Sequence, residues 1–573
     1  MPPRERIYRR QALLRFALGL CLLVVVNVLA HSRLGGTRLY TALDLTEDRR
    51  YTLSTNTRNQ LTDLTEPLYV RVLLAGELPA GYQRLRTALE EKLEDFAGYT
   101  DYLQFEFADP LAGTPDEVRQ RQEAMFEDGI VPVTDYQQSA GERTARAVYP
   151  YALVYGGEQQ RIVPLLEASR PDVPLAQQLN QAENLLEYNL TRAIAGLTAV
   201  DKYTVAFTLG NGELPPAQFA DLVSELRKDY EVGPLYLDSV ATVPDQIDLL
   251  IVAKPTVPFT PEQAFRLDQY VMQGGKVIWA IDGVAMDYDS LQATGEAIPQ
   301  ARTTGLEDLF FSYGFRVSTE LVLDLANSPI PIATSQGPTG PRFTLVPFPY
   351  HVTALPASDQ PIVQNIDAVD LRYPTLLEEV GGATDLNRTI LLTSSDNARL
   401  QAVPSVIDLD AQKFSVELER FNRADLPLAL VLEGTFESPY ANRMRSSFGD
   451  FLRRSDREYR SRSVPTAMLV VSDGDVLANS VSNRGEVGTL GVNRFSGIPY
   501  ANKTFMLNAI AYLLDPTGII NSRNKEVRLR LLDQNRALAE AGYWRSLNLA
   551  VPLLLLAVFG LLFNILRRRR YAR

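Results

Sequence analysis

Cysteine and histidine are nearly missing from this 573-residue chain. Cys21 is the only cysteine and lies inside an apolar run, so no disulfide closes within the chain and no cysteine nucleophile is available. His31 and His351 are the only histidines, which excludes metal sites of the His/Cys type by count. A Ser–His–Asp triad would have to use His351, and no G-x-S-x-G elbow accompanies it. G-x-x-x-x-G-K-[ST] is absent, so the chain does not cradle nucleotide phosphates in the P-loop manner. Positive charge is also short: 57 Lys and Arg against 69 Asp and Glu leave −12, which repels nucleic acid. No enzyme activity and no cofactor are expected from such an inventory.

What is present begins with two apolar runs. Phe16–Ala30 follows Arg4, Arg6, Arg9 and Arg10, and Leu547–Leu566 precedes Arg567, Arg568, Arg569 and Arg570. A helix of about 20 residues crosses a hydrocarbon core of roughly 30 Å. The second run has that length, and the first reaches it with Arg15 at the interface. Basic flanks stay cytoplasmic. The expectation is a bacterial inner-membrane protein with a basic tail 1–15, an anchor 16–30, a transmembrane helix 547–566 and a basic tail 567–573. Both termini then face the cytoplasm, and the chain between the spans is a periplasmic ectodomain. Cleavage after Ala30 is the alternative for the first run, because Val28-Leu29-Ala30 suits signal peptidase. Leaving out the ten basic residues and the one acid in or beside the two runs, 47 Lys and Arg face 68 acids, −21.

Between the runs, strand and helix patterns alternate, which predicts an α/β ectodomain. In residues 39–198, Ser54 offers a helix N-cap and Leu68–Leu74 reads as a strand. A helix carrying Leu85, Leu89, Leu93 and Phe96 follows, then strand Leu103–Phe107, helix Asp116–Glu127 and a hairpin turning at Gly156-Gly157. A long amphipathic helix closes the unit. That order predicts a thioredoxin-like βαβ unit, and without C-x-x-C it has no redox role. Residues 202–515 predict a second α/β domain with a doubly wound parallel sheet of the Rossmann or amidotransferase-like kind. Its elements are strand Tyr203–Leu209, a helix bearing Phe219 and Leu222, strand Ile247–Ala253, and a helix opening at Thr260-Pro261-Glu262-Gln263 and closing at Gly274-Gly275. Strands Lys276–Ile281, Thr389–Thr393, Leu428–Leu432 and Ala467–Val471 follow, with an apolar helix Thr504–Leu514. Eight prolines between 329 and 361 predict an insertion that runs over the surface as a long loop. Residues 516–546 read as a stalk.

Three acidic positions fall just after predicted parallel strands: Glu213, Asp282 and the pair Asp473/Asp475. Ligands of doubly wound sheets bind at the carboxyl ends of the strands. Should the strands be neighbours, these carboxylates form one crevice for a cation or a hydroxylated ligand. The alternative is that Gly210-Asn211-Gly212 and Asp473-Gly474-Asp475 are tight turns chosen for their backbone. Arg443, Arg445, Arg453 and Arg454 open a basic stretch that is either a docking patch or a solvated face. Trp544, in the stalk, is a candidate partner contact.

The order of segments resembles the GldG family. The residues that carry the resemblance are Tyr51-Thr52-Leu53-Ser54, Glu183-Asn184-Leu185-Leu186-Glu187-Tyr188 and Leu267-Asp268-Gln269-Tyr270 running on to Gly274-Gly275-Lys276. Leu432-Glu433-Gly434, Asn442-Arg443, Asp473-Gly474-Asp475, Asn502-Lys503 and Leu531-Leu532-Asp533 continue it. Asn211 departs from it, standing where relatives carry histidine. The resemblance implies a non-catalytic, substrate-binding-like auxiliary subunit of an ABC-type transport system associated with gliding motility in Bacteroidota. It also implies a permease subunit in the membrane and a separate cytoplasmic ATPase as partners. A periplasmic ligand-binding or envelope-scaffolding protein that works without an ATPase is the alternative.

Overall fold

The computed structural model describes residues 52–139, 142–166, 173–199, 201–286, 288–337, 340–380, 386–409, 418–441, 458–515, 517–524 and 540–571, together with Leu18, Gly19, Cys21, Leu22, Arg33, Leu34, Thr37, Arg38 and Phe448. The chain divides into a unit of residues 1–525 and a unit of residues 526–573. The first-anchor run, Phe16–Ala30, lies almost wholly outside the described residues, as do residues 525–539 of the expected stalk.

The larger unit opens with α1 (Thr55–Thr62), β1 (Leu68–Val72), α2 (Ala80–Ala97), β2 (Leu103–Phe107), α3 (Pro115–Glu127), β3 (Tyr151–Gly156), β4 (Gln159–Pro164) and α4 (Leu175–Thr198). The strands order as β2-β1-β3-β4, with β1 parallel to β2 and antiparallel to β3, and β3 antiparallel to β4. Leu85, Leu89, Leu93 and Phe96 of α2 meet Leu179, Leu186 and Leu190 of α4 and the inward residues Val70, Val72 and Val154 in one core. Ser54 caps α1, its hydroxyl accepting the Thr57 amide proton at 3.1 Å. Glu187 of α4, itself buried, accepts from the Ser54 amide at 2.7 Å and the Thr57 hydroxyl at 3.0 Å. Two segments 130 residues apart are thus joined by a polar knot, which a buried carboxylate needs to offset its desolvation.

The second part of this unit is built on a ten-stranded sheet. Its elements are β5 (Thr204–Leu209), α5 (Ala220–Leu226), β6 (Glu231–Tyr236), β7 (Leu249–Ala253), α6 (Pro261–Met272) and β8 (Lys276–Ala280), then β9 (Asn327–Gly337), β10 (Gly340–Pro356), β11 (Val369–Arg372), β12 (Leu386–Thr393), β13 (Pro427–Gly434), β14 (Thr466–Val471) and α7 (Asn502–Leu514). The order is β6-β5-β7-β8-β14-β13-β12-β10-β9, with β11 also on β10. The first five strands are parallel, as the alternating pattern predicts. From β13 onward every pairing is antiparallel, so the all-parallel expectation is corrected for that half of the sheet. β9 and β10, consecutive strands paired as a hairpin, show the local reason at the far edge: a parallel neighbour needs a crossover of a dozen or more residues between the two strands.

Both faces of the parallel half are covered. Val205, Phe207, Ile251, Ile278 and Leu469 point to one face, beneath α5 and α7. Ala206, Leu250, Val252, Trp279 and Val470 point to the other, beneath α6. This period-2 split explains why β7, Leu-Leu-Ile-Val-Ala, is apolar throughout. α6 begins with the expected capping box, Thr260 and Gln263 each bonding the other's backbone, and ends at Gly274, whose φ of 97° suits glycine. Asp268 on α6 is wholly buried, its carboxylate accepting from Tyr313 at 3.0 Å, Ser438 at 2.7 Å and Gln269 at 2.8 Å. Burial pushes its pKa up to about 6 even though these donors act in the opposite sense.

The proline-rich insertion is a second correction. Residues 327–356 form a long antiparallel hairpin, β9 against β10, rather than a loop. Proline fits extended backbone and lacks only the N–H, so it is tolerated where a strand pairs on one side: Pro329 and Pro331 lie on β9, the sheet's edge, and Pro341, Pro347 and Pro349 lie on the part of β10 that pairs with β9 alone among the described residues. The first residues of the expected stalk differ as well. A 3₁₀ turn at Ile519–Asn524 packs Ile519 and Ile520 against Tyr188 of α4, and Gly518 accepts from the Asn56 side chain of α1 at 2.6 Å.

In the smaller unit, α8 (Ala541–Tyr571) is one continuous helix. Its stretch Ala541–Arg569 is 29 residues long, apolar enough to cross a membrane, and none of it is buried. Trp544 lies near its start, edge-on to Tyr543 at 5.5 Å and bonded through Nε1 to Glu540 at 3.0 Å.

Candidate functional site

Strands β5, β7, β8 and β14 are consecutive neighbours and parallel, so the loops after them emerge at one edge. The chain runs from β5 outward to β6 and returns to β7 on β5's other side, which makes β5/β7 the switch in strand order. Glu213 stands in the loop after β5, Lys254 after β7, Asp282 after β8, and Asp473 and Asp475 after β14.

Three of the four predicted carboxylates meet. Lys254 directs its ammonium at Asp475, in a close ion pair, and at Asp282, 3.6 Å away. Asp473 accepts from the amides of Asp475 at 2.8 Å and Arg372 at 2.7 Å, and Asp282 accepts from the Gly474 amide at 2.7 Å. The loop is close-packed: a Cβ on Gly474 would stand 2.3 Å from Lys254 Cβ. Lys254 itself adopts a φ of 56°, the left-handed region that a lysine enters only when its surroundings hold it there. Burial opposes the charge on Lys254, yet Asp475, Asp282 and Asp473 hold its pKa above the ordinary lysine range. Burial, then the neighbouring Asp475 and Asp282, drives Asp473 well above the usual carboxylate range. Burial likewise raises Asp282, with Lys254 opposing it.

Glu213 does not join them. Its Oε2 accepts from the Asn211 amide at 2.6 Å, closing its own turn, while Oε1 is buried with no hydrogen-bond partner among the described residues. The Asn211 side chain donates to Gln263 at 3.1 Å, tying the turn to the start of α6. Gly212, with a φ of 69°, packs so tightly on Thr256 that a Cβ would lie 2.1 Å from its hydroxyl. Among the described residues, no hydrogen bond or ion pair links Glu213 to Asp282, Asp473 or Asp475. Arg443, Arg445, Arg453 and Arg454 lie outside the described residues.

The lysine changes what the acidic group can do. Its ammonium stands where a bound cation would stand, so Asp475 and Asp282 are paired from within, while Asp473 is held by the amides of Asp475 and Arg372. Among the described residues, no group of three or more His, Cys, Asp or Glu side chains is arranged to hold a metal ion. Sequence reasoning passed over Lys254 because a lysine closing an apolar strand reads as a solubilising end. Its position between the ends of β5 and β8 shows only once the strand order is known.

A cleft of about 330 Å³ opens beside this network, and Asp475 lines both. Its other charged or imidazole-bearing lining residues are His351, Asp370, Arg372 and Arg494, with Phe495 at the rim. His351 and Arg372 are opposite each other in the β10–β11 pairing. The His351 ring stands edge-on to Phe348 at 5.2 Å and Tyr373 at 5.4 Å, and no hydrogen bond reaches its nitrogens among the described residues. Burial, helped by Arg372, pushes its pKa down to about 3, so the imidazole is neutral at physiological pH. Asp370 accepts from the Ser328 hydroxyl at 2.6 Å and lies 3.9 Å from Arg372. The wall of the cleft comes from the proline-rich hairpin through Pro329 and Ile330.

Comparison with known proteins places these features in a family. The profile of the ABC-type uncharacterized transport system matches residues 202–509, and that of a domain of unknown function matches residues 47–155. No curated protein matches the chain. Among solved structures, the mmIFT52 N-terminal domain aligns over 54% of this chain and 96% of its own at 11% identity, with a TM-score of 0.29. The exo-beta-1,4-mannosidase Op5Man5 from Opitutaceae bacterium strain TAV5 aligns over 59% of this chain and 39% of its own at 12% identity, with a TM-score of 0.22. Likenesses at these scores carry no weight for fold or function. The transport-system profile spans more than half of the 573 residues, from β5 through most of α7, and the chain therefore belongs to the ABC-type transport-system auxiliary family.

Proposed function

We propose that the chain is a non-catalytic, substrate-binding-like auxiliary subunit of an ABC-type complex, held in the bacterial inner membrane with its α/β body in the periplasm. Its partners are a membrane permease and a cytoplasmic ATPase, and gliding motility in Bacteroidota is the process it serves. The family match over residues 202–509 carries this reading. The apolar, unburied α8 supports membrane anchoring, and Arg567–Arg570 at its end support a cytoplasmic C-terminus. A second anchor at 16–30 completes the topology proposed. The strand order β2-β1-β3-β4 supports reading residues 39–198 as a thioredoxin-like unit. Without a P-loop the chain depends on a separate ATPase, and two spans are too few for a transport pathway.

The test is co-purification from the native membrane. The full chain is expected to bring down a polytopic permease and, through it, an ATPase. A version lacking 1–30 and 541–573 is expected to lose both. Retention of the permease by the soluble body would refute the assignment of the interface to the spans, and recovery of no transporter component by the full chain would refute the subunit reading.

A further inference from the structure

We propose that the cleft between the β14 loop and the β9–β10 hairpin binds a small organic anion in which a carboxylate sits beside hydroxyl groups. Its volume of about 330 Å³ suits a single small molecule, near the low end of the roughly 300–1,000 Å³ of ligand sites. The charged lining decides the sign of the ligand. Asp475 is already held by Lys254, and Asp370 by the Ser328 hydroxyl with Arg372 nearby. Arg494 is exposed, rests its guanidinium 4.5 Å above the Phe495 ring, and has no carboxylate partner among the described residues. A guanidinium fixed by stacking presents its fork to a carboxylate with little further ordering.

The floor decides the rest. A neutral imidazole offers one donor and one acceptor, the pairing a hydroxyl satisfies, and His351 offers both with neither taken up among the described residues. Asn479 and Asn493, which also line the cleft, are occupied elsewhere. Asn479 bonds the Asp221 amide and the Ala217 and Ser480 carbonyls, and Asn493 bonds the Pro329 carbonyl and the Phe495 and Ser496 amides. Charge recognition falls to Arg494 and hydroxyl recognition to His351, joined by Gln218 and Ser480, which also line the cleft.

The proposal deepens the substrate-binding side of the auxiliary-subunit reading and rests on it for its biological setting. Isothermal titration of the purified full chain in detergent tests it with gluconate, sorbitol and acetate as probes. Gluconate is expected to bind at least about tenfold more tightly than sorbitol or acetate. Arg494→Gln, at an exposed position, is expected to weaken gluconate by about tenfold and leave sorbitol unchanged. His351→Phe keeps the ring contacts with Phe348 and Tyr373 while removing both nitrogens, and is expected to weaken gluconate and sorbitol alike. Acetate or inorganic phosphate binding as tightly as gluconate would overturn the proposal, as would a silent gluconate titration or two variants that bind like the parent. A chain that purifies with a permease yet gives no heat with gluconate removes this proposal alone. A chain that binds gluconate but purifies without a transporter removes the subunit reading alone.

Discussion

Lys254 is held in place by Asp475 and Asp282, the two carboxylates it pairs with, so replacing it strands them. Removing one partner of a buried ion network costs about 3–5 kcal/mol, because the remaining charges lose their compensation without regaining water. Lys254→Met is expected to lower the melting temperature accordingly, and Lys254→Met with Asp475→Asn to recover at least half of the loss in the same melting experiment. Asp268 gives a second prediction, with a defined pH window. Its pKa rises on folding from the ordinary 3.8 to about 6, so the folded state binds the proton more tightly. Its contribution is therefore fully present below about 4 and is lost as pH climbs through 6, a difference of about 3 kcal/mol. Asp268→Asn is expected to flatten the stability profile between pH 4 and 7, as read from denaturant midpoints. At this scale the sequence showed where the acids were and hid what neutralised them. Glu213, Asp282 and Asp473 were visible as residues closing strands. The partnership with Lys254 depended on which strands are neighbours, and that is a property of the sheet, not of any local window.

Elements were legible in proportion to how far their signals are local. The start of α6 is written in Thr260-Pro261-Glu262-Gln263 and its end in Gly274, and the helix runs between them. Thr260→Ala is expected to remove the cap that accepts the Gln263 amide at 3.2 Å and to cost about 1 kcal/mol, seen as a small drop in melting temperature. The proline-rich hairpin was not legible. Counting prolines treats each as a breaker, whereas a stretch of strand paired on one side only needs N–H groups on that side alone, as in β9 and the first part of β10. The antiparallel half of the sheet was hidden for a related reason: a buried apolar strand carries no mark of its direction. Several segments behind the GldG resemblance have structural work of their own. Glu187 ties α4 to α1, Asp268 ties α6 to Tyr313 and Ser438, and Asn502 binds both backbone groups of Asp370, at 2.9 and 2.8 Å.

For the molecule as a whole, the proposed pair of anchors predicts a partition that neither alone would give. Deleting 541–573 is expected to leave the protein in the membrane fraction through the first run, and deleting 1–30 as well is expected to release it. Carbonate extraction followed by centrifugation reads the outcome, and release by the single C-terminal deletion would count against the first anchor. The resemblance was carried by segments in order, and the profile match over 202–509 agrees with it at the level of the transport-system family. The Asn56–Gly518 bond has a mechanical consequence. Asn56 of α1 is joined to Gly518 by a 2.6 Å hydrogen bond, and Arg523 of the turn that follows stacks 4.9 Å over Tyr188 of α4. A pull applied between α1 and this turn loads that small clasp directly and reaches the ten-stranded sheet only after it.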